Sequence, residues 1–361
     1  MSATTWVAHD RDRSWTCASP SQEAIEFHRA LPGYAPTRLV DLPSLAEELG
    51  VGRVVAKDES SRLGLPAFKA LGASWAVHRA LRDLPDEGPR VIVTATDGNH
   101  GRAVARFSRL LGHRARIVVP PGVHPSAIQA IRDEGAEVSA VGGTYDDAVA
   151  DASRLAEEIG GVLVQDTAWV GYEQIPGWIV EGYATLFAEA DEQLAGSGIT
   201  HPDLVLVPAG VGSLLQAALA HYRGDRAVLG TVVASVEPEA AACMGPSLLA
   251  GEAVTVPTGV TIMAGLNCGT PSSLAWPYIV NGLDAAIAVS DEDDIRAAHD
   301  LADLGVLAGP CGGAGLAAAR LALTGPGSAE RRRHLGVGPD STVLLVITEG
   351  ADANPLPGRE T

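Results

Sequence analysis

The chain takes nearly every long cationic side chain as arginine and keeps lysine at two positions only, Lys57 and Lys69. Arginine serves wherever charge alone matters, but it cannot shed a proton near neutrality and attack a carbonyl as a free amine. One of the two lysines is therefore the candidate for covalent chemistry. The plainer explanation is that a base composition rich in Ala, Gly and Arg has removed all other lysines by drift. Lys69 is the stronger candidate. It stands in LGLPAFKALGAS, where Gly64 and Pro66 end a loop and a helix begins. Among Leu65, Phe68 and Leu71 its amine is expected to be partly buried, which favours the neutral nucleophile. A merely structural cation there would oppose the helix dipole. Lys57 ends an apolar strand in VVAKDES, next to Asp58 and Glu59, and reads as an ion-pairing residue.

Two glycine-flanked loops supply what a phosphate-bearing aldehyde needs beside such an amine. In VPAGVGSLLQA a strand runs into Gly210, Val211, Gly212 and Ser213 and then a helix. Backbone N–H groups at that helix start can hold a phosphate without a basic side chain. The loop half-matches a dinucleotide fingerprint, with Glu237 at the end of the next strand, but Leu215 stands where the third glycine should permit close helix–strand packing. A nicotinamide-dependent dehydrogenase is therefore disfavoured. In TATDGNHGRAVA, Asp97, Gly98, Asn99, His100 and Gly101 lie between a strand end and a helix start. Asp97 or Asn99 capping local N–H groups is the ordinary explanation of that turn. It does not explain two such loops together with a lone lysine.

The elements that must position these residues follow from periodicity. VIVT, RIVVP, EVSAV and GVLVQ alternate with amphipathic stretches near Gly101–Leu111, Pro125–Glu134, Tyr145–Ile159 and Pro176–Gln193. LVLVPAG with a helix from Gly212, VVASVEP, AAIAV with Glu292–Leu304, a helix from Gly312 and the closing VLLVIT form a second series, and Arg53–Lys57 is expected to be the first strand. Five-residue strands alternating with roughly twelve-residue helices predict an α/β fold of parallel sheets in two lobes, with ligands at the carboxyl ends of the strands. The net charge of −18 disfavours nucleic-acid or anionic-membrane surfaces. An N-terminus without an apolar stretch, and no run long enough to span a bilayer, predict a cytoplasmic protein. Cys17, Cys243, Cys268 and Cys311 form no C-x-x-C pair and have no clustered histidines, so free thiols are expected and no metal site.

KDESSRLGLPAFKALGAS, TDGNHGRAVA, TYDDAV, VQDTAWVGYEQIPGWIVEGYATL, AGVGSL, VEP and TIMAGLNCGTP occur in that order between Lys57 and Pro271. This series resembles the fold-type II pyridoxal-phosphate enzymes, the tryptophan-synthase β-like group, and within it the diaminopropionate ammonia-lyase family. The resemblance implies a large discontinuous cofactor-binding lobe of residues 1–75 and 190–361, a small lobe of residues 76–189 carrying TDGNHG, and a homodimer. It implies that Lys69, preceded by Phe68, binds the aldehyde of pyridoxal 5'-phosphate. Asn99 would donate to the phenolic oxygen, Gly210, Val211, Gly212, Ser213 and Leu214 would hold the phosphate, and Asp97 and Asp166 would be the acid/base carboxylates.

The implied reaction removes ammonia from a small amino acid, 2,3-diaminopropionate, through an aminoacrylate that hydrolyses to pyruvate and a second ammonia. Lys69 on one face and Asp97 on the other would accept the Cα proton of opposite enantiomers, and Asp166 would hold the departing ammonium. In AGPCGGAGLAAAR the chain departs from the family's Gly-Glu-Ser-Gly-Ala. Cys311 is then expected to face the pyridine nitrogen, with Pro310 in place of an acid. A neutral thiol there would leave the ring a weaker electron sink. That departure keeps open a serine/threonine dehydratase-like or β-replacement enzyme acting on another β-substituted alanine. A catalytically silent amino-acid sensor is disfavoured by Lys69, Asp97 and Asn99 all being present.

Overall fold

The computed structural model describes residues 5–82, 84–85, 88–96, 98–227 and 230–356. Its strands are β1 (Trp6–Ala8), β2 (Arg38–Asp41), β3 (Arg53–Asp58), β4 (Val91–Ala95), β5 (Arg114–Val119), β6 (Glu137–Ala140), β7 (Val162–Leu163), β8 (Leu204–Pro208), β9 (Val232–Pro238), β10 (Ala285–Val289) and β11 (Thr342–Ile347). They form a seven-stranded sheet in the order β1-β10-β9-β8-β11-β3-β2 and a four-stranded sheet in the order β6-β5-β4-β7. Every residue of β8, β9, β10 and β11 is buried, as parallel strands covered by helices on both faces require. The α/β reading thus holds, with parallel pairing throughout the smaller sheet and through β10-β9-β8-β11-β3 of the larger.

Arg53–Asp58 is not the first strand. β1 and β2 precede it, each pairing antiparallel at an edge of the large sheet. At three and four residues they are too short for an alternating pattern to stand out. GVLVQ shortens to β7 because Gln165 turns its side-chain oxygen to Thr94 Oγ1 and the Ala95 N–H, both at 2.9 Å. Helix Tyr145–Ile159 matches its predicted bounds, fixed at its start by a Thr144–Asp147 capping box and at its end by left-handed Gly160.

The large sheet draws its strands from residues 6–58 and 204–347, the small one from 91–163. Helices Lys69–Arg82 and Gln174–Ala195 run through the limits placed at 75/76 and 189/190, so those limits fall inside continuous helices. The two helices pack closely. A Cβ on Gly72 would lie 2.5 Å from Tyr183 Cε1, and one on Gly182 would lie 2.6 Å from Leu71 O. This contact holds the start of the Lys69 helix against the long helix that follows the Asp166 loop.

Lys57 is ion-paired as expected, with its partner far away in sequence. Its Nζ donates to Glu189 Oε2 at 2.7 Å, to Gln193 Oε1 at 2.9 Å and to Thr37 O at 2.9 Å. Arg62 bridges Glu59 and Glu189 in the same buried cluster. Neighbouring Asp58 instead meets Arg38 at 2.6 Å. Burial pushes the Lys57 amine down, and Glu59 and Glu189 oppose it. Among the described residues no helix is long and apolar enough to cross a membrane, and no group of three His, Cys, Asp or Glu could hold a metal ion.

Candidate active site

Lys69 is the first residue of its helix, delivered by a loop in which Leu63 at φ 51° and Gly64 at φ 74° both adopt left-handed backbone. The loop is laced to the end of β11: Phe68 N donates to Thr348 O at 3.0 Å and Gly350 N to Pro66 O at 2.9 Å. The Phe68 ring centroid lies 5.8 Å from Lys69 Nζ and 4.7 Å from the ring of Tyr183. Leu65 and Leu71 are buried as expected, yet the amine itself meets a carboxylate rather than an apolar wall. Lys69 Nζ donates to Asp166 Oδ2 at 2.7 Å.

Asp166 is held from several sides. Gln165 Nε2 reaches Asp166 Oδ1 at 3.2 Å, and His100 Nδ1 lies 3.9 Å from Oδ2. Tyr172 fixes the loop, its hydroxyl donating to Leu163 O and accepting from Gln165 N, both at 2.9 Å. Burial alone would raise the Asp166 carboxyl, but the charges of Lys69 and then His100 outweigh it and hold the group well below the usual carboxylate range. Asp166 is thus the anionic partner of the Lys69 amine.

Asn99 begins the helix Asn99–Leu110, and its Nδ2 donates to Glu349 Oε2 at 2.6 Å. The other Glu349 oxygen accepts from Cys311 N at 3.3 Å, at the start of the helix Pro310–Leu323. Burial and Glu349 push the Cys311 thiol well above its ordinary range, so it stays a neutral S–H. Cys311 does not stand alone at this end, since the buried Glu349 carboxylate lies beside it. Glu349 escaped the sequence reading, although an acid just beyond a parallel strand, in VITEG, is the kind of signal that marks such a site. Thr348 Oγ1, also buried, has no hydrogen-bond partner among the described residues.

The glycine loop after β8 closes the circuit. A Cβ on Gly210 would lie 3.0 Å from both Cys268 Sγ and Gly265 O, while one on Gly265 would lie 3.3 Å from Cys311 Sγ. Gly212, at φ 101°, caps the helix Ser213–Arg223 without a side-chain bond. Among the described residues no protein acceptor takes the N–H groups of Gly210, Val211, Gly212, Ser213 or Leu214. Five N–H groups at a helix start without a protein acceptor, cleared of any Cβ at Gly210, suit a phosphate. Together with the Lys69 amine and the Asn99 amide, they form a donor set that fits pyridoxal phosphate. Glu237 instead spends its oxygens on Cys243 N and Met244 N, which removes the ribose-binding acid of a dinucleotide site.

Lys69, Phe68, Asp166, Asn99, Cys311 and the Gly210–Leu214 loop are therefore brought into one neighbourhood by contacts with shared residues. Asp97 lies outside the described residues. None of Cys17, Cys243, Cys268 and Cys311 is joined in a disulfide.

The sequence profile described as "Pyridoxal-phosphate dependent enzyme" matches residues 30–349. A diaminopropionate ammonia-lyase of Salmonella typhimurium is 37% identical, across 92% of this chain and 89% of its own length. The crystal structure of the Escherichia coli diaminopropionate ammonia lyase in complex with an aminoacrylate-PLP azomethine reaction intermediate superimposes with a TM-score of 0.88 at 34% identity, covering 96% of this chain and 94% of that one. More distant is an L-threonine ammonia-lyase of Geobacter sulfurreducens, 29% identical over 71% of this chain and 59% of its own. The chain belongs to the pyridoxal-phosphate dependent enzymes and, within them, to the family of the diaminopropionate ammonia-lyases.

Proposed function

We propose that the chain eliminates ammonia from 2,3-diaminopropionate, converting it with one water to pyruvate and two ammonia. The observation that carries this reading is the Lys69–Asp166 contact of 2.7 Å, a covalent-chemistry amine held by a carboxylate that burial has not neutralised. When bound, pyridoxal phosphate supplies the electron sink that makes the substrate Cα–H acidic. The N–H groups of Gly210, Val211, Gly212, Ser213 and Leu214 would hold its phosphate, and Asn99 would donate to its phenolic oxygen.

Lys69, committed to the cofactor, no longer neutralises Asp166. A buried carboxylate deprived of its cation is costly, so the site favours a ligand that brings a replacement. The β-ammonium of diaminopropionate is such a group, and Asp166 keeps it protonated as its bond to carbon breaks. Released by the substrate, the Lys69 amine takes the Cα proton on its own face. Asp97 is proposed to do so on the other, which would admit both enantiomers. A hydroxyl leaving group carries no charge for Asp166 to pair with, which supports ammonium over the dehydratase reading.

We further infer that the enzyme works in the cytoplasm as a homodimer, which sedimentation velocity at micromolar concentration would test. The main experiment is absorbance of the purified protein with added pyridoxal phosphate, followed by pyruvate detection on adding either enantiomer of diaminopropionate. A band at roughly 410–420 nm that is absent from both K69A and K69R, together with pyruvate release, supports the reading. A band without pyruvate moves the substrate to another β-substituted alanine.

A further inference from the structure

Glu349 is 5% exposed and sits where three segments of the chain meet. Its own carbonyl accepts from Gly309 N at 3.0 Å, and its backbone bridges Ala67, two residues before Lys69. Two glycines clear its place. A Cβ on Gly309 would come within 3.2 Å of Glu349 Cγ, and one on Gly312 within 2.6 Å of Glu349 O. The carboxylate so placed holds Asn99 Nδ2 at 2.6 Å and Cys311 N at 3.3 Å.

An asparagine amide is nearly symmetric in shape but presents either two donors or an acceptor. A carboxylate beside it removes the ambiguity, since turning the amide oxygen toward Glu349 would oppose two acceptors. The amide nitrogen carries two hydrogens, and Glu349 takes one. Behind it, Asp294 is fully buried with no hydrogen-bond partner for either oxygen among the described residues; burial, then Asp291 and Glu349, push it up to about 8.

We propose that Glu349 is a positioning residue for the cofactor: its carboxylate fixes the Asn99 amide with a donor left for the phenolic oxygen, and ties that amide to the segment that carries Lys69. The inference rests on the proposed role of Asn99 and adds the residue that sets its orientation. Charge-assisted hydrogen bonds of this kind are about twice as strong as neutral ones, so the amide is held in place before the cofactor arrives.

The test measures pyridoxal phosphate affinity by fluorescence titration and the position of the bound-cofactor absorbance band in E349Q, E349D, N99A and the double variant E349D/N99A. E349Q replaces one of the two acceptor oxygens with an NH2, so it cannot accept from both Asn99 Nδ2 and Cys311 N and readmits the turned Asn99 amide; affinity falls about tenfold or more and the band shifts, as in N99A. E349D keeps the charge but draws it back by one carbon; affinity falls about tenfold or more and the band shifts, as in N99A. In E349D/N99A the losses do not add, because both changes break one interaction. Full additivity, or E349D matching the parent while N99A is impaired, overturns the role of Glu349 alone. An N99A variant with unchanged band and affinity overturns the Asn99 reading and this inference with it.

Discussion

Lys69 Nζ and Asp166 Oδ2 stand 2.7 Å apart although 97 positions separate them in the chain. The amine starts a helix packed against the long helix Gln174–Ala195, and the carboxylate sits on the loop between β7 and that same helix. One helix pairing therefore fixes both ends of the contact, and the proposed division of labour follows from it: Lys69 leaves for the cofactor and the substrate's ammonium replaces it.

Replacing Asp166 with Asn removes the charge and keeps the shape. If Asp166 serves the leaving ammonium, D166N lowers kcat/KM for diaminopropionate by about 10²–10⁴ while affecting β-chloroalanine much less, because chloride departs without a proton. Steady-state pyruvate assays with both substrates decide it. Equal losses would show that Asp166 acts only by placing Lys69.

Asp97 is proposed to accept the Cα proton on the face opposite Lys69. D97N is then expected to cut turnover of D-diaminopropionate by at least about tenfold more than that of the L enantiomer, read by the same assay on separate enantiomers. A uniform loss would exclude the two-face scheme.

At Gly210 a methyl group would be forced to 3.0 Å from Cys268 Sγ and Gly265 O. G210A should displace the loop and turn its N–H groups away, weakening pyridoxal phosphate binding by about tenfold or more, the value of one or two lost hydrogen bonds. Inorganic phosphate, added as a competitor during cofactor titration, should weaken apparent cofactor binding to the parent and have less effect on G210A.

His28 gives the fold a pH dependence distinct from catalysis. It is fully buried, with Nδ1 2.8 Å from Thr185 Oγ1 and Nε2 3.0 Å from Leu71 O, near the start of the Lys69 helix. Burial, the largest influence, lowers its pKa from 6.5 to about 4. Between those values the unfolded chain binds a proton that the folded chain refuses. The stabilisation is thus complete above pH 6.5 and is lost as the pH falls toward 4, up to about 3 kcal/mol. Urea unfolding at pH 7.5, 6 and 5 should show this slope in the parent and a flatter one in H28Q.

Local patterns carried much of this protein. Lys69 is marked by its amine in a chain of arginines, and the βα alternation is legible because buried parallel strands such as LVLVP and TVLLVI are continuously apolar. The glycine loop after β8 is legible because Gly210 and Gly212 answer to backbone geometry, which is local. Those features, with the order of the family-like motifs, lie in the sequence by itself.

Contacts between distant segments do not. Nothing near Lys57 names Glu189, and neighbouring Asp58 was the more obvious partner. The edge strands β1 and β2 owe their existence to the sheet they join, since three or four residues have little propensity of their own. That the Lys69 amine meets Asp166, and that Glu349 gathers Asn99 and Cys311, depends on side-chain reach across packed helices and sheet ends. Charge pairing over a few ångströms is decided by three-dimensional position, which the tertiary structure alone supplies.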